Sequence, residues 1–491
     1  MNGSSSAKPP IDPELIPERE SEGIRWLYDR INYEKLSVPS DAYPFRLDRM
    51  RALIRELGMG DVLASDDPPS AMDRPLVIHL AGTKGKGSVA AMVAGVLTSS
   101  GIKTGLYTSP HLHWLGERFQ VDGRSIDPDE LDDILSAIRP VVERMESGSQ
   151  LRPTFFELTT AIAWAYFRRQ DALVWVLETG LGGRLDSTNV IQSDVTAITS
   201  IGLDHQHVLG NTVEEIAREK AGILKRGVPI VCGRLQPGPR AVIHRVADER
   251  GCPVTQLDQD FSLASRAQTR WGSELTIRNL TSLQSPMQLS LNLEGPHQAA
   301  NAALALAIVD QVVVDARINS DGSLAGRVSR DGLAFLAHFE MPARQQRHAV
   351  VEGGTVLLDA AHNVDSIAAL CATIRARFAD DRVMVLFGTS VDKDALSMLR
   401  QLNQVTDEVV VTQYLGNPRF YPVDDLRARV AADRDFTGAS FRYEPDAERA
   451  MTGLLEQCTK RSTIVVSGSF FLAAEMEAML RRRPVQAAER R

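Results

Sequence analysis

The chain has 491 residues, 43% of them hydrophobic and 24% charged, a globular composition at a length too great for one hydrophobic core. Its 55 Lys plus Arg against 63 Asp plus Glu give a net charge of −8. That balance argues against a nucleic-acid partner but leaves room for a local phosphate pocket.

Residues 1–20, rich in Pro, Ser and Glu, read as a loose arm with no apolar signal core, and no apolar run approaches the roughly 18–20 residues that cross a bilayer. A cytoplasmic protein with no membrane partner is expected. Beyond the arm, short apolar runs alternate with amphipathic stretches, the pattern of a parallel sheet covered by helices. Leu76–Leu80 predicts a strand, followed by a glycine loop and a helix in which Val89, Met92, Val93, Val96 and Leu97 recur at helical spacing. Further strands are predicted at Lys103–Thr108, Leu173–Leu177, Val195–Thr199 and Val228–Cys232. Met287, Leu289, Leu291 and Leu293 then alternate with polar residues, which predicts a short antiparallel sheet before the helical HQAANAALALAIVDQVV.

A second α/β set is predicted after about residue 336, with strands at Thr355–Leu358, Val383–Phe387, Glu408–Thr412 and Thr463–Val466. The division expected is therefore an arm over 1–20, a larger domain over 21–335 and a smaller one over 336–491. The final RRRPVQAAERR reads as a frayed tail. Cys232, Cys252, Cys371 and Cys458 are scattered with no CxxC pair, which excludes a cysteine zinc site and fits reduced thiols.

The glycine loop runs Gly82-Thr83-Lys84-Gly85-Lys86-Gly87-Ser88 between a strand and a helix. Glycines there let backbone N–H groups turn toward an anion, the helix N-terminus adds its dipole, and Lys86 adds a point charge. Ser88 has a hydroxyl to offer Mg²⁺. The strict GxxxxGK[ST] pattern is not met, since Leu80 stands at its first glycine and Gly87 separates Lys86 from Ser88.

Four more segments fall just past predicted strand ends, where an open α/β sheet places its ligands: TSPHL from Thr108, PTFFELTTA with Glu157 at a helix start, LETGLGGRLDSTNV from Leu177, and LDHQHVLGNTVEEIAREKAGILK from Leu203. Ser109, Glu178 and His205 form a chemically mixed set of candidates for Mg²⁺, a cation that takes a few oxygen ligands and bridges phosphates. Thr212 and Glu215 read as a capping box that opens a helix, two turns into which lies Lys220. By itself that lysine reads as a solvated helix residue. Asn301, near a helix start, suits either a cap or an adenine edge.

GTKGKGS resembles the GTNGKGS loop of the folylpolyglutamate synthase and dihydrofolate synthase family, a branch of the Mur ligases, with Lys84 in place of the usual Asn. Other Mur ligases usually carry GKTT or GKTS there. The resemblance runs from about residue 22 to 478. It implies a P-loop-type N-terminal domain with a parallel sheet and a small antiparallel sheet, and a smaller Rossmann-like α/β C-terminal domain. It also implies that Gly82, Thr83, Gly85, Lys86, Gly87 and Ser88 hold the ATP phosphates, and that Ser109, Glu178 and His205 hold the metal. Lys220 would be carbamylated, converting a cation into a carboxylate-like group. Glu117, Arg118 and Phe119 resemble the family's segment on the pterin side.

GPHQAANAALA resembles the family's GxHQxxNxxxA and implies Asn301 at the nucleotide. MPAR places Arg344 where the family's PGR supplies an arginine to the phosphates, with Ala343 in place of glycine. LLDAAHN matches DGAHN with Ala360 in place of glycine, so Asp359 and His362 are expected to reach the nucleotide, and FGTSVDKD and VSGSFFL resemble further family segments. The function implied is an ATP-dependent ligase that adds L-glutamate to reduced folates, and also to dihydropteroate, through an acyl phosphate, with Lys86, Lys220 and His362 as catalytic residues. ATP and Mg²⁺ are the expected cofactors, a monovalent cation is a further candidate, and a monomer is expected. The competing readings are a muramyl-peptide ligase and a P-loop kinase or ATPase, neither of which accounts for both GKGS and the DAAHN segment.

Overall fold

The computed structural model describes residues 21–31, 47–65, 71–149, 151–267, 271–350, 353–415, 417–436 and 438–482. The expected arm over 1–20 and most of the expected tail lie outside the described residues. The chain divides into two compact units. The first takes the described residues up to Asn292 with Pro296–Phe339, and the second takes Leu293–Gly295 with the described residues from Glu340 onward. The first unit runs past residue 335 because the helix there stays packed on it: Phe335 lies over Gly95, and Gly332 lies against Val96.

In the first unit the strands of the main sheet are β1 (Leu76–Ala81), β2 (Thr104–Tyr107), β3 (Phe119–Val121), β4 (Arg124–Ser125), β5 (Val174–Glu178), β6 (Val195–Ile198), β7 (Ile230–Cys232) and β8 (Val254–Gln256). Their spatial order is β4-β3-β2-β5-β1-β6-β7-β8. From β2 to β8 the pairing is parallel, and β3 and β4 add an antiparallel hairpin at one edge. β1 and β5 are buried along their whole length, which is why they read as unbroken apolar runs.

His79 in β1 is the polar exception. It is fully enclosed, with Nε2 2.8 Å from Thr188 Oγ1, and burial pushes its pKa down to about 3. β9 (Ser262–Ala267), β10 (Ser273–Arg278) and β11 (Met287–Leu291) form the antiparallel sheet, and the alternating Met287, Leu289 and Leu291 are the buried positions of β11.

The second unit holds β12 (Gln346–Ala349), β13 (Thr355–Leu358), β14 (Arg382–Phe387), β15 (Glu408–Gln413), β16 (Ser440–Asp446) and β17 (Ser462–Ser467), in the order β12-β13-β17-β14-β15-β16. All pair in parallel except β12, which is antiparallel at the edge. Its core is built from Val356, Leu358, Met384, Leu386, Ile464 and Val466 with helix residues such as Met451 and Met476. Among the described residues no helix is long and apolar enough to cross a membrane.

Candidate active site

Sheet register gathers the candidate segments of the first unit. Leu80 in β1 pairs with Glu178 in β5, Tyr107 in β2 pairs with Leu177, and Ala81 pairs with Ile198 in β6. The chain therefore leaves four adjacent parallel strands at one edge, and the glycine loop, Ser109, Glu178 and the 199–205 segment emerge side by side. This is the position at which an open α/β sheet binds ligands.

The glycine loop is held from below. Thr83 N–H donates to Ser200 O at 2.7 Å, Lys84 N–H donates to Ser200 Oγ at 3.0 Å, and Thr199 Oγ1 donates to Lys84 O at 2.6 Å. Gly82 is required by close approach, because a Cβ there would collide with the Thr199 hydroxyl. Gly85 has φ +84° and starts the helix Lys86–Ser99, which has no side-chain cap. The first N–H groups of that helix thus have no side chain competing with an incoming anion. Thr83 fits the expected phosphate contact less well: its Oγ1 accepts from Gly202 N–H at 3.0 Å and donates to Gly202 O at 3.2 Å. Asn301 lies against the loop itself, where a Cβ on Gly85 would stand 2.6 Å from its Oδ1, and its Nδ2 donates to Gln298 Oε1 at 3.0 Å.

Glu178 is buried at the end of β5. One carboxylate oxygen accepts from Ser109 N–H at 3.1 Å, and the other lies 3.9 Å from Lys86 Nζ. Mg²⁺ is held by one or two carboxylates with phosphate oxygens and waters. Glu178, with Ser109 beside it, fits that requirement, and among the described residues no cluster of three or more His, Cys, Asp or Glu is arranged to hold a metal without such help. His205 lies on a left-handed turn with φ +48°, its side chain 49% exposed and Nε2 3.8 Å from Asp204 Oδ1.

Lys220 is not the solvated helix residue that its sequence position suggests. It is 4% exposed, and its Nζ donates to Gly82 O at 2.8 Å. The helix Val213–Ala221 that carries it opens with the Thr212–Glu215 capping box. Burial pushes its pKa down to about 7, with nearby Lys86 acting in the same direction and Asp204 and Asp186 opposing.

Several residues that organise this edge were not singled out from the sequence. The carboxylate of Asp186 accepts from the N–H groups of Gly180, Leu181 and Thr188 at 2.9, 3.0 and 3.0 Å, and it folds the Gly-rich turn after Glu178. Asn189 and Lys225 lie beneath the same turn. The DSTN run after the glycines is the signal that could have drawn attention to them, since Asp at such a position caps and turns backbone.

The expected pterin-side residues follow Ser109 in the chain. Phe119 is fully buried and stacks on Tyr107, with ring centroids 6.1 Å apart. Arg118, 1% exposed, donates from Nε to His111 Nδ1 at 2.9 Å and lies over the Phe155 ring. Glu117 accepts from the N–H groups of Leu112, His113 and Trp114 at 2.6, 2.9 and 3.2 Å. These three side chains shape the loop after Ser109.

In the second unit Asp359 joins two turns. Its carboxylate accepts from Ala361 N–H at 2.8 Å and from Gln345 N–H at 3.1 Å, so the turn bearing Arg344 is fastened to the end of β13. Burial raises the Asp359 pKa to about 6, against the opposing pull of Arg344 and these N–H groups. Ala343 and Gln345 both have positive φ, +52° and +53°, which explains why glycine suits the position that Ala343 occupies. His362 is oriented by a 2.8 Å contact between Nδ1 and Ala360 O.

The Mur ligase middle domain matches residues 80–309, and the Mur ligase glutamate ligase domain matches 343–470. The chain is 31% identical over 408 residues to the dihydrofolate synthase/folylpolyglutamate synthase of Bacillus subtilis, covering 82% of this chain and 90% of that protein. It is 34% identical over 435 residues to the enzyme of the same name from Mycobacterium tuberculosis, covering 83% and 86%. The structure of Mycobacterium tuberculosis folylpolyglutamate synthase complexed with ADP and AMPPCP superposes with a TM-score of 0.76 at 31% identity, covering 94% of this chain and 98% of that one. The chain belongs to the Mur ligase family, in the branch of the folylpolyglutamate and dihydrofolate synthases.

Proposed function

We propose that this protein is an ATP-dependent ligase that joins L-glutamate to folates, with dihydropteroate as a second acceptor. The observation that carries the reading is the meeting of an uncapped helix N-terminus, Lys86, Glu178 and buried Lys220 at one sheet edge. A phosphoryl-transfer site needs fixed donors and positive charge around the transferred group, with one acidic group for a divalent cation. The folate carboxylate attacks the γ-phosphorus, the bond to the β–γ bridging oxygen breaks, and ADP leaves. The glutamate amine then attacks the acyl carbon of the acyl phosphate and releases phosphate.

In this reading Gly85, Lys86, Gly87 and Ser88 cradle the phosphates, and Thr83 and Gly82 hold the loop in shape. Mg²⁺, when bound, neutralises phosphate charge, with Glu178, Ser109 and His205 as its protein ligands. In the second unit Arg344 and His362 are the nucleotide's residues in this reading, with Asp359 fixing the turn that bears Arg344. Asn301 serves the nucleotide from its place against Gly85.

A lysine amine reacts with carbon dioxide only in its neutral form, and the burial of Lys220 favours that form near neutral pH. This supports the carbamate reading of Lys220. The deciding assay is phosphate release from ATP by the purified protein, with dihydropteroate, tetrahydrofolate or a muramyl substrate, each with its matching amino acid. Release with both folate substrates is expected. Release with only the muramyl substrate would overturn the reading.

A further inference from the structure

Buried Asn189 and half-buried Lys225 are polar groups with no part in the chemistry above, yet every polar atom of the Asn189 carboxamide is engaged. Nδ2 donates to Arg184 O at 3.0 Å and to Gly222 O at 3.1 Å, while Oδ1 accepts from Lys225 Nζ at 2.7 Å. Lys225 Nζ also donates to Asn189 O at 2.7 Å.

The two carbonyls joined by Nδ2 belong to different active-site elements. Arg184 ends the Gly-rich turn that begins after Glu178, and Gly222 follows the helix that carries Lys220. These backbones already lie flat on each other. Arg184 N–H donates to Glu219 O at 2.8 Å, and a Cβ on Gly183 would come within 2.9 Å of Lys220 O. Two carbonyl oxygens pointing at one place repel each other unless a donor lies between them. An amide NH₂ supplies two hydrogens in one plane and meets both.

We propose that Asn189 and Lys225 are positioning residues that clamp the Gly-rich turn to the backbone around Lys220 and so set where Lys220 stands beside the glycine loop. This rests on the reading of Lys220 as an active-site group. Lys225 fixes the carboxamide orientation, because its Nζ donates to Asn189 O and Oδ1 at 2.7 Å each and the NH₂ is thereby directed at the carbonyls.

The test is steady-state kinetics of Asn189→Asp and Lys225→Met, together with Lys220→Ala and the Asn189→Asp/Lys220→Ala double variant. Asn189→Asp keeps shape and the Lys225 acceptor but has no donor for either carbonyl. A misplacement of catalytic groups by about 1 Å costs on the order of 100-fold in rate, so kcat should fall between about 10- and 100-fold while KM for ATP changes little. A clamp that acts through Lys220 predicts that the double variant is no slower than Lys220→Ala alone. Wild-type kcat in both clamp variants, losses that multiply in the double variant, or failure of both variants to fold would overturn the proposal. Wild-type kcat in Lys220→Ala would refute the role of Lys220 itself, and the clamp with it. A slow Lys220→Ala beside a fast Asn189→Asp would refute the clamp alone.

Discussion

Gly85→Ala tests whether the glycine loop needs its bare backbone, and the structure supplies an internal control. Gly85 and Gly101 have the same φ, +84°, but a Cβ on Gly101 meets nothing within 4 Å, while one on Gly85 would stand 2.6 Å from Asn301 Oδ1. An alanine in the left-handed region costs about 1–2 kcal/mol, and both variants carry that cost. Gly85→Ala must also push Asn301 away from its 3.0 Å bond to Gln298, worth about 1 kcal/mol. It should therefore be the less stable of the two by about 1 kcal/mol, and it should lose ATP affinity because its methyl group intrudes where the loop turns. All five tryptophans, Trp26, Trp114, Trp164, Trp175 and Trp271, precede residue 292. Urea unfolding followed by their fluorescence thus reports on the first unit, and calorimetric titration with ATP gives the affinity. Asn301→Ala placed on Gly85→Ala should cost no further stability, because the bond it removes is already broken there. Equal stabilities of Gly85→Ala and Gly101→Ala, with wild-type ATP affinity, would refute the reasoning.

Lys86→Ala removes a charge-assisted contact worth about 1.5–3 kcal/mol, so turnover should collapse while circular dichroism stays native; normal turnover would remove Lys86 from the site. Glu178→Gln keeps shape and loses charge, and the Mg²⁺ concentration for half-maximal rate should rise sharply; an unchanged Mg²⁺ dependence would count against Glu178 as a ligand. The Lys220 pKa is pushed down to about 7 in the folded chain, whereas the unfolded chain keeps its lysine protonated to about 10.4. Between these values the unfolded state binds the extra proton, so the contribution of Lys220 to stability should rise with pH above 7, and below 7 its buried charge carries its full cost. Unfolding of wild type against Lys220→Met from pH 6 to 9 reads this directly, and a pH-independent difference would refute it. If Lys220 is carbamylated, Lys220→Ala should regain activity with small carboxylic acids, and the native enzyme should lose activity when bicarbonate is stripped at mildly acid pH.

Local pattern was enough for the elements that carry the site. The buried strands announce themselves as apolar runs because both faces of a parallel sheet are covered, and Thr212 with Glu215 announces a helix start because a capping box is a contact within one turn. The short strands β3, β4 and β12 were not legible, since strands of two to four residues carry too little periodicity. In the same way, the sequence offered Glu117, Arg118 and Phe119 as one segment, and only packing stacks Phe119 on Tyr107 and bonds Arg118 to His111.

By itself, then, the sequence determined the strand–loop–helix that can receive phosphates, the acidic and glycine-rich turns past the strand ends, and the order of the two α/β sets. Each of these depends on neighbours a few residues apart. What tertiary structure alone decided is the protonation and company of the side chains. Lys220 reads as an exposed helix lysine until the chain brings it 138 positions back to Gly82 O, where loss of water lowers its pKa. Asn189 is an ordinary loop amide until Arg184, Gly222 and Lys225 surround it. Burial and long-range hydrogen bonds belong to the folded chain, and no window of sequence contains them.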